Sequence, residues 1–311
     1  MPNKYNIDFF ITGYPRSGTT MVASLMGRNK AIFVPAESHF FRSFLITRKS
    51  ISKDDFITDF LNDKRLNDIC TDREVIIKCV YDNNNYTQAF ACVLHKLAAD
   101  NNKNIIGEKT PSHILNYPSI LLAYPDCRFI YVLRDGRDCV YSNLKETWTH
   151  NNPYKHAAEW NLHIRQMESL KKKYQDRILI VKYEDILNNP DALCAQMTSF
   201  IGVKFSAENS DESNTLTIPE WEKAWKKKAS QKPDPSNMYK WKNNDNDRLN
   251  LILTKIMYNN LLKYQYDTTI LKSNDIKLNI KEHIITLACT PVIYSIMKHF
   301  AHLFRMAGLR N

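Results

Sequence analysis

The chain has no cysteine spacing typical of metal binding, no apolar run long enough for a membrane span, and few glycines. Its seven cysteines include no CxxC pair and no neighbouring histidine cluster. We therefore expect neither a zinc site nor a disulfide framework, and a reducing compartment is the default. The apolar-rich stretch 284–297 is too short to cross a bilayer, and Pro291 interrupts it. No DNA- or RNA-binding signature is present, so nucleic acid is not an expected partner.

Positive charge exceeds negative charge, with 43 Lys and Arg against 33 Asp and Glu and a formal net charge of +10. This balance favours anionic partners such as a highly charged nucleotide, an acidic glycan or a membrane surface. The 311 residues, 43% of them hydrophobic, suit one large α/β domain or two smaller ones. Because the first apolar segment begins so early, we expect no signal peptide and a cytoplasmic protein.

Residues 9–20, FFITGYPRSGTT, are the most informative stretch. The apolar residues 9–11 predict a buried strand that ends at Gly13, and residues 19–28 predict a helix. A strand, a loop with two glycines and a helix N-terminus together form a cradle for an anion. The loop amides converge on the anion, and the helix dipole favours negative charge there.

This loop differs from that of a nucleotide triphosphatase at one position. The spacing Gly13-x4-Gly18 is that of a P-loop, which requires a lysine directly after the second glycine. Thr19 occupies that place here, and the cation lies upstream at Arg16. The sequence therefore predicts a phosphate-binding loop without the lysine of kinases.

A second motif lies at 128–146, RFIYVLRDGRDCVYSNLKE. Residues 129–133 predict another buried strand, with Arg134 at its carboxyl end. The pattern becomes helical from Asp138 onward. Arg134 and Ser142 are therefore a cation at a strand end and a hydroxyl about two turns into the following helix.

The PRSGTT and RDGRD motifs resemble those of the sulfotransferases that use 3′-phosphoadenosine 5′-phosphosulfate (PAPS) and release 3′-phosphoadenosine 5′-phosphate (PAP). In that family a matching loop binds the 5′-phosphosulfate, and a matching Arg and Ser bind the 3′-phosphate. The resemblance implies that Arg134 and Ser142 bind the 3′-phosphate here. It implies that the 5′-phosphosulfate contacts Arg16, Ser17, Gly18, Thr19 and Thr20.

The stretch 107–113, GEKTPSH, is a third element similar to the family, and it follows another predicted strand. Ligands gather at the carboxyl ends of strands in open α/β sheets. We expect Lys109 to hold the 5′-phosphosulfate and to offset the charge that builds on the bridging oxygen during transfer.

The catalytic base has two candidates in the PAESHFF segment. The resemblance implies a carboxylate or a histidine shortly after the first helix. Glu37 is the first choice, since burial could raise its pKa into a useful range. His39 is the alternative.

Two weaker elements complete the resemblance. The YED run places Tyr183 where the family has a tyrosine near the adenine. Lys240 and Trp241 match a late loop that closes over the nucleotide, although this chain lacks the glycine-rich form of that loop.

The predicted fold is a three-layer α/β/α domain over residues 1–270, with a mostly parallel central sheet and a P-loop-like phosphosulfate loop. Residues 271–311 are expected to form a helical extension. Apolar residues repeat at helical spacing within 284–307, which fits either a peripheral membrane contact or packing against protein.

The predicted function is transfer of a sulfuryl group from PAPS to a hydroxyl or amine of an acceptor, by in-line displacement. The motifs are closer to the branch that acts on carbohydrates and protein tyrosine, so a glycan, a glycolipid or a tyrosine is the expected acceptor. We find no cluster of metal ligands and expect no metal requirement. The alternatives are a P-loop nucleotide kinase or hydrolase and a non-catalytic anion-binding protein.

Overall fold

The computed structural model describes residues 4–45, 51–204, 219, 233–272 and 279–289. It contains two compact units. The first unit comprises residues 1–133 and 170–235, and the second comprises residues 134–169 and 236–311. The predicted boundary at residue 270 stays a prediction.

The first unit is built on a five-stranded sheet in which every pair of neighbouring strands is parallel. The strands are β1 (Phe9–Gly13), β2 (Ile32–Phe33), β3 (Ile105–Lys109), β4 (Arg128–Leu133) and β5 (Ile178–Lys182). Their spatial order is β2-β3-β1-β4-β5, which places β1 in the centre. All of β1 and nearly all of β4 are buried, as expected for parallel strands covered on both faces. The predicted α/β fold with a parallel central sheet is confirmed.

The described residues also form α-helices. They are α1 (Thr19–Gly27), α2 (Lys53–Asn62), α3 (Lys64–Ile69), α4 (Arg73–Tyr81), α5 (Tyr86–Asp100), α6 (Tyr117–Ala123), α7 (Gly136–Asn143), α8 (Pro153–Lys173), α9 (Tyr183–Asn188), α10 (Pro190–Phe200), α11 (Asp247–Lys263) and α12 (Ile280–Ala288). Polar side chains cap the starts of α2 to α5, where each accepts a backbone N–H. These caps are Ser52, Asp63, Asp72 and Asn85.

A disulfide joins Cys79 of α4 to Cys92 of α5. The sequence indicated no disulfide framework, and this single bond departs from that expectation. The chain reverses direction between the two helices and brings them side by side, which the spacing of cysteines along the sequence does not reveal. The other five cysteines are buried and form no disulfide.

The second unit contains α7, most of α8, α11 and α12. Arg248 of α11 donates to both carboxylate oxygens of Glu282 in α12, at 2.5 and 2.7 Å. Three large apolar side chains of α12, Ile280, Ile284 and Leu287, are exposed. None of the described helices is both long and apolar enough to cross a membrane. Most of 284–307 lies outside the described residues, so its membrane contact stays a prediction.

Candidate functional site

The loop between β1 and α1 has the geometry of an anion-binding turn. The Ser17 amide donates to the Tyr14 carbonyl at 3.0 Å and closes the turn. Gly18 directly precedes α1 and has φ +100°, a conformation that favours glycine. The first amides of a helix have no partner within the helix, and the dipole there favours negative charge. The loop therefore ends in a site suited to a phosphate or phosphosulfate.

The side chains of this loop also fit an anionic ligand. Ser17 is buried, and its Oγ has no hydrogen-bond partner within the described part of the chain. A buried hydroxyl without a partner indicates a missing ligand or water. Arg16 is half-buried with φ +70°, Thr19 is buried, and Thr20 contacts Lys109. The residues present thus fit the 5′-phosphosulfate end of a nucleotide.

Tyr183 packs against this loop, although the sequence suggested a place near the adenine. A Cβ built onto Gly18 would collide with the Tyr183 ring. Tyr183 begins α9 at the end of β5, next to β4 in the sheet. Its ring therefore supports the glycine turn of the loop, while its contact with adenine stays a prediction.

We expect Gly18→Ala to lower the free energy of unfolding by about 1–3 kcal/mol, because the new methyl group overpacks against Tyr183. Urea denaturation measures this. Gly202→Ala is the matched control, since Gly202 also has a positive φ of +84° but its added Cβ meets nothing closer than 3.5 Å. If the two variants lose equal stability, the Tyr183 contact contributes nothing.

Lys109 and Glu37 form the centre of the candidate active site. The Lys109 Nζ lies 2.6 Å from Glu37 Oε1 and 3.4 Å from Thr20 Oγ1. Lys109 ends β3, which pairs with β1 so that Lys109 lies beside Ile11. The lysine side chain is fully buried, and that of Glu37 is 11% exposed. One cation therefore contacts both the phosphosulfate loop and the predicted base.

Two further side chains surround the Glu37 carboxylate. His39 Nε2 lies 3.3 Å from Oε2, and Arg65 Nη1 of α3 lies 3.9 Å from the same oxygen. Burial lowers the pKa of His39 and so favours a neutral ring. The hydrogen bond to Glu37 acts in the opposite direction but does not outweigh burial. The structure thus brings both predicted base candidates together and adds Arg65, which the sequence analysis missed.

A buried network fixes the segment that carries Glu37. The fully buried Glu108 carboxylate accepts hydrogen bonds from Ser38 Oγ at 2.6 Å, Thr110 Oγ1 at 2.7 Å and His113 Nδ1 at 2.7 Å. His113 Nε2 in turn accepts the Phe41 amide at 3.2 Å. Burial alone would raise the pKa of Glu108, but His113 and the two hydroxyls hold that pKa below its ordinary value. Residues adjacent to Glu37, the predicted base, are therefore anchored to β3 and the turn that follows it.

In the second unit, Arg134 contacts an acidic neighbour and a backbone oxygen. Its Nη2 lies 3.3 Å from Asp138 Oδ2 and 3.1 Å from the Asn237 carbonyl. Burial raises the pKa of the Asp138 carboxyl, against the effect of the Arg134 charge. Ser142 is half-buried in the last turns of α7, two turns after the start of the helix, as the sequence indicated. Their contact with a 3′-phosphate stays a prediction.

The two residues of the late loop have different environments. Lys240 is exposed, and its Nζ donates to Asn237 Oδ1 at 2.7 Å. Trp241 is buried, and its amide donates to Asp138 Oδ1 at 2.9 Å. The Arg137 guanidinium lies 3.6 Å from the centre of the Trp241 ring. Trp241 therefore packs within the second unit, and nucleotide binding by either residue stays a prediction.

The second unit also brings together a group of potential metal ligands, His150, His156 and Glu159. The sequence pattern did not indicate such a cluster. The spacing of His156 and Glu159, three residues apart on one helix, was the available signal. His150 lies in the preceding segment, and its approach to the other two could not be read from the sequence.

Comparison with known proteins gives consistent results. A family model described as "Sulfotransferase family" matches residues 8–207. The chain is 22% identical over 206 residues to a Caenorhabditis briggsae protein named "Putative protein-tyrosine sulfotransferase", a match that covers 64% of this chain and 66% of that protein. A Caenorhabditis elegans protein of the same name is 25% identical over 105 residues, covering 32% of this chain and 40% of its own length. The chain thus spans about two thirds or less of the length of these curated relatives.

Among solved structures, the fold is similar to that of the sulfotransferase domain of the Synechococcus olefin synthase. The TM-score is 0.55 at 17% sequence identity, and the match covers 92% of this chain and 96% of that domain.

Proposed function

This chain belongs to the sulfotransferase family, and from that premise we propose that it transfers a sulfuryl group from PAPS to a hydroxyl group of an acceptor. The observation that carries the proposal is the position of Lys109 between the phosphosulfate loop and Glu37, at 3.4 Å from Thr20 Oγ1 and 2.6 Å from Glu37 Oε1. Transfer between two oxygens requires a cation near the leaving group and a base near the incoming hydroxyl. Lys109 supplies the cation and Glu37 supplies the base, and the two side chains are in direct contact.

The loop residues are suited to hold the donor's 5′-phosphosulfate. PAPS supplies the sulfuryl group when it is bound, and its remainder leaves as PAP. The amides at the start of α1 and the Ser17 hydroxyl supply hydrogen-bond donors, and Arg16 and Lys109 supply positive charge. Lys109 is buried, so its charge acts on the ligand with little screening by water.

Glu37 is suited to accept the proton of the acceptor hydroxyl. Its carboxylate is held by Lys109 on one oxygen and by His39 and Arg65 on the other. Because the burial of His39 favours its neutral form, that ring can orient the carboxylate or accept a proton from it. The Glu108 network keeps Ser38 and His39 in place beside this carboxylate.

The 3′-phosphate is assigned to Arg134 and Ser142 by their match to the family motif. Arg134 presents a guanidinium, which binds phosphate through paired hydrogen bonds. In the structure this guanidinium already contacts the Asp138 carboxylate at 3.3 Å. A phosphate there would compete with Asp138 for the same donor.

Calorimetric titration with PAP, without added metal, tests the donor. We expect PAP to bind much more tightly than ADP, which has no 3′-phosphate, and we expect Arg134→Ala to remove most of that preference. Loss of a charge-assisted phosphate contact costs about 1.5–3 kcal/mol, or roughly 10- to 150-fold in affinity. Arg248→Ala is the matched arginine control, because Arg248 pairs with Glu282 outside the motif.

Equal or tighter binding of ADP, or a requirement for Mg²⁺, would instead support a nucleotide kinase or hydrolase.

A second experiment tests the acceptor with labelled PAPS. The name of the two Caenorhabditis relatives favours a protein tyrosine as the acceptor, so we expect transfer to a tyrosine peptide and not to its phenylalanine counterpart. Transfer to an acidic glycan alone would replace tyrosine with a sugar hydroxyl.

A further inference from the structure

The cluster of His150, His156 and Glu159 has the spacing of a metal site. His156 and Glu159 lie in the first turns of α8, three residues apart and therefore on one face of the helix. His150 approaches from the segment before the helix. Its Nε2 lies 3.2 Å from Glu159 Oε2, and His156 Nδ1 lies 4.0 Å from the same oxygen. One potential ligand atom from each residue lies within 4.8 Å of the other two.

A backbone hydrogen bond orients the ring of His156. Its Nε2 lies 2.9 Å from the carbonyl oxygen of His150. A carbonyl can only accept, so Nε2 carries the proton and Nδ1 is the basic nitrogen. Nδ1 is also the nitrogen that faces Glu159. Histidines that bind metals commonly donate their second N–H to a carbonyl or carboxylate in this way.

The ring of His150 directs its Nε2 toward the Glu159 carboxylate. Its Nδ1 is buried and has no hydrogen-bond partner among the residues that the structure describes. Its ring stacks on that of His156, with 3.9 Å between the ring centres. Two imidazole rings and a carboxylate thus lie close together, and the His150 nitrogen that faces Glu159 is Nε2.

We propose that His150, His156 and Glu159 bind a transition-metal ion of the Zn²⁺ class. Two imidazole nitrogens and one carboxylate oxygen are ligands that Zn²⁺ accepts readily, whereas Mg²⁺ and Ca²⁺ prefer oxygen alone. Ligand atoms around tetrahedral Zn²⁺ lie about 3.4 Å apart, given bonds of about 2.0–2.2 Å. The 3.2 Å between His150 Nε2 and Glu159 Oε2 is close to this spacing, and the 4.0 Å between His156 Nδ1 and the same oxygen would shorten on binding.

The site is open to solvent, and it lies between the segment before α8 and the first turns of α8. The His150 and Glu159 side chains are 28% and 24% exposed, so an ion can enter and water can fill the fourth position. The ion would hold the segment before α8 against the first two turns of that helix. Thr149 already anchors that segment, because its Oγ1 donates to the Asn143 carbonyl at 2.9 Å. Metal binding would add to the stability of this region.

Titration of the full chain with Zn²⁺ alone tests the proposal. We expect one Zn²⁺ per chain, a rise in Tm with Zn²⁺ and no such rise with Mg²⁺. Both His150→Ala and Glu159→Gln should weaken Zn²⁺ binding by about 100-fold or more, because even changes to residues that only support the ligands cost about 10- to 100-fold. These two residues are partly exposed, so the variants should fold.

His95→Ala is the matched control, since His95 contacts the Asn6 carbonyl in the first unit and lies outside the cluster. It should bind Zn²⁺ as the wild type does. Co²⁺ provides an independent readout, because an absorption spectrum without a thiolate band excludes binding by cysteine. Failure of the wild type to bind Zn²⁺ would overturn the proposal, as would undiminished binding by His150→Ala.

Discussion

Glu37→Gln is expected to lower kcat by about 100- to 10,000-fold, the usual contribution of a positioned general base. Glutamine keeps the size of the side chain and can still accept a hydrogen bond from Lys109, but it cannot take a proton from the acceptor. Since Lys109 and the loop remain in place, PAP affinity should change little. The measurement is steady-state transfer of labelled sulfuryl group, with PAP binding followed by calorimetry.

His39→Gln separates the two candidate bases. His39 contacts Glu37 Oε2 at 3.3 Å, so its loss should disturb the orientation of the carboxylate and reduce kcat less than Glu37→Gln does. A larger loss of kcat in His39→Gln would transfer the role of base to the histidine. Loss of PAP binding in both variants would show that this segment supports donor binding instead.

Lys109→Met is expected to lower kcat by about 100- to 1,000-fold, the range seen when one group that stabilises developing charge is removed. Methionine is unbranched and apolar, and it suits a side-chain position that is fully buried. The variant also leaves Glu37 without its closest cation, at 2.6 Å in the wild type. The effects of Lys109→Met and Glu37→Gln should therefore be non-additive when the two are combined.

The comparison of kcat and KM identifies how Lys109 acts. A fall in kcat with little change in KM indicates stabilisation of the transition state, whereas a rise in KM alone indicates simple donor binding. Lys103→Met provides a matched control, because Lys103 contacts the Gly27 carbonyl and is not part of the predicted site. Wild-type kcat in Lys109→Met would contradict the proposed role.

Local patterns in the sequence were sufficient to predict the sulfotransferase family, the α/β fold and the loop between β1 and α1. The apolar runs that precede the three motifs became strands β1, β3 and β4 of the parallel sheet, and the motif residues lie at or just after the carboxyl ends of these strands. Lys109 could be placed beside the loop because β1 and β3 are parallel, which puts their carboxyl ends at one edge of the sheet.

The features missed by the sequence analysis depend on contacts between distant segments. Arg65 reaches Glu37 from α3, and nothing in the composition of that helix indicates a role in the site. The bond between Cys79 and Cys92 depends on how α4 and α5 pack. His150 joins the cluster of potential metal ligands because the segment before α8 folds back on the helix. Periodicity describes one segment at a time, so such approaches need the tertiary structure.

The buried Glu108 network also constrains how this protein can diverge. Its carboxylate has three donors, Ser38, Thr110 and His113, and all three are buried. A change at Glu108 alone would leave two hydroxyls and a ring N–H unsatisfied in the interior, at a cost of about 1–3 kcal/mol for each group. Homologues that replace Glu108 should therefore replace its donors as well, so these four positions should covary as a set.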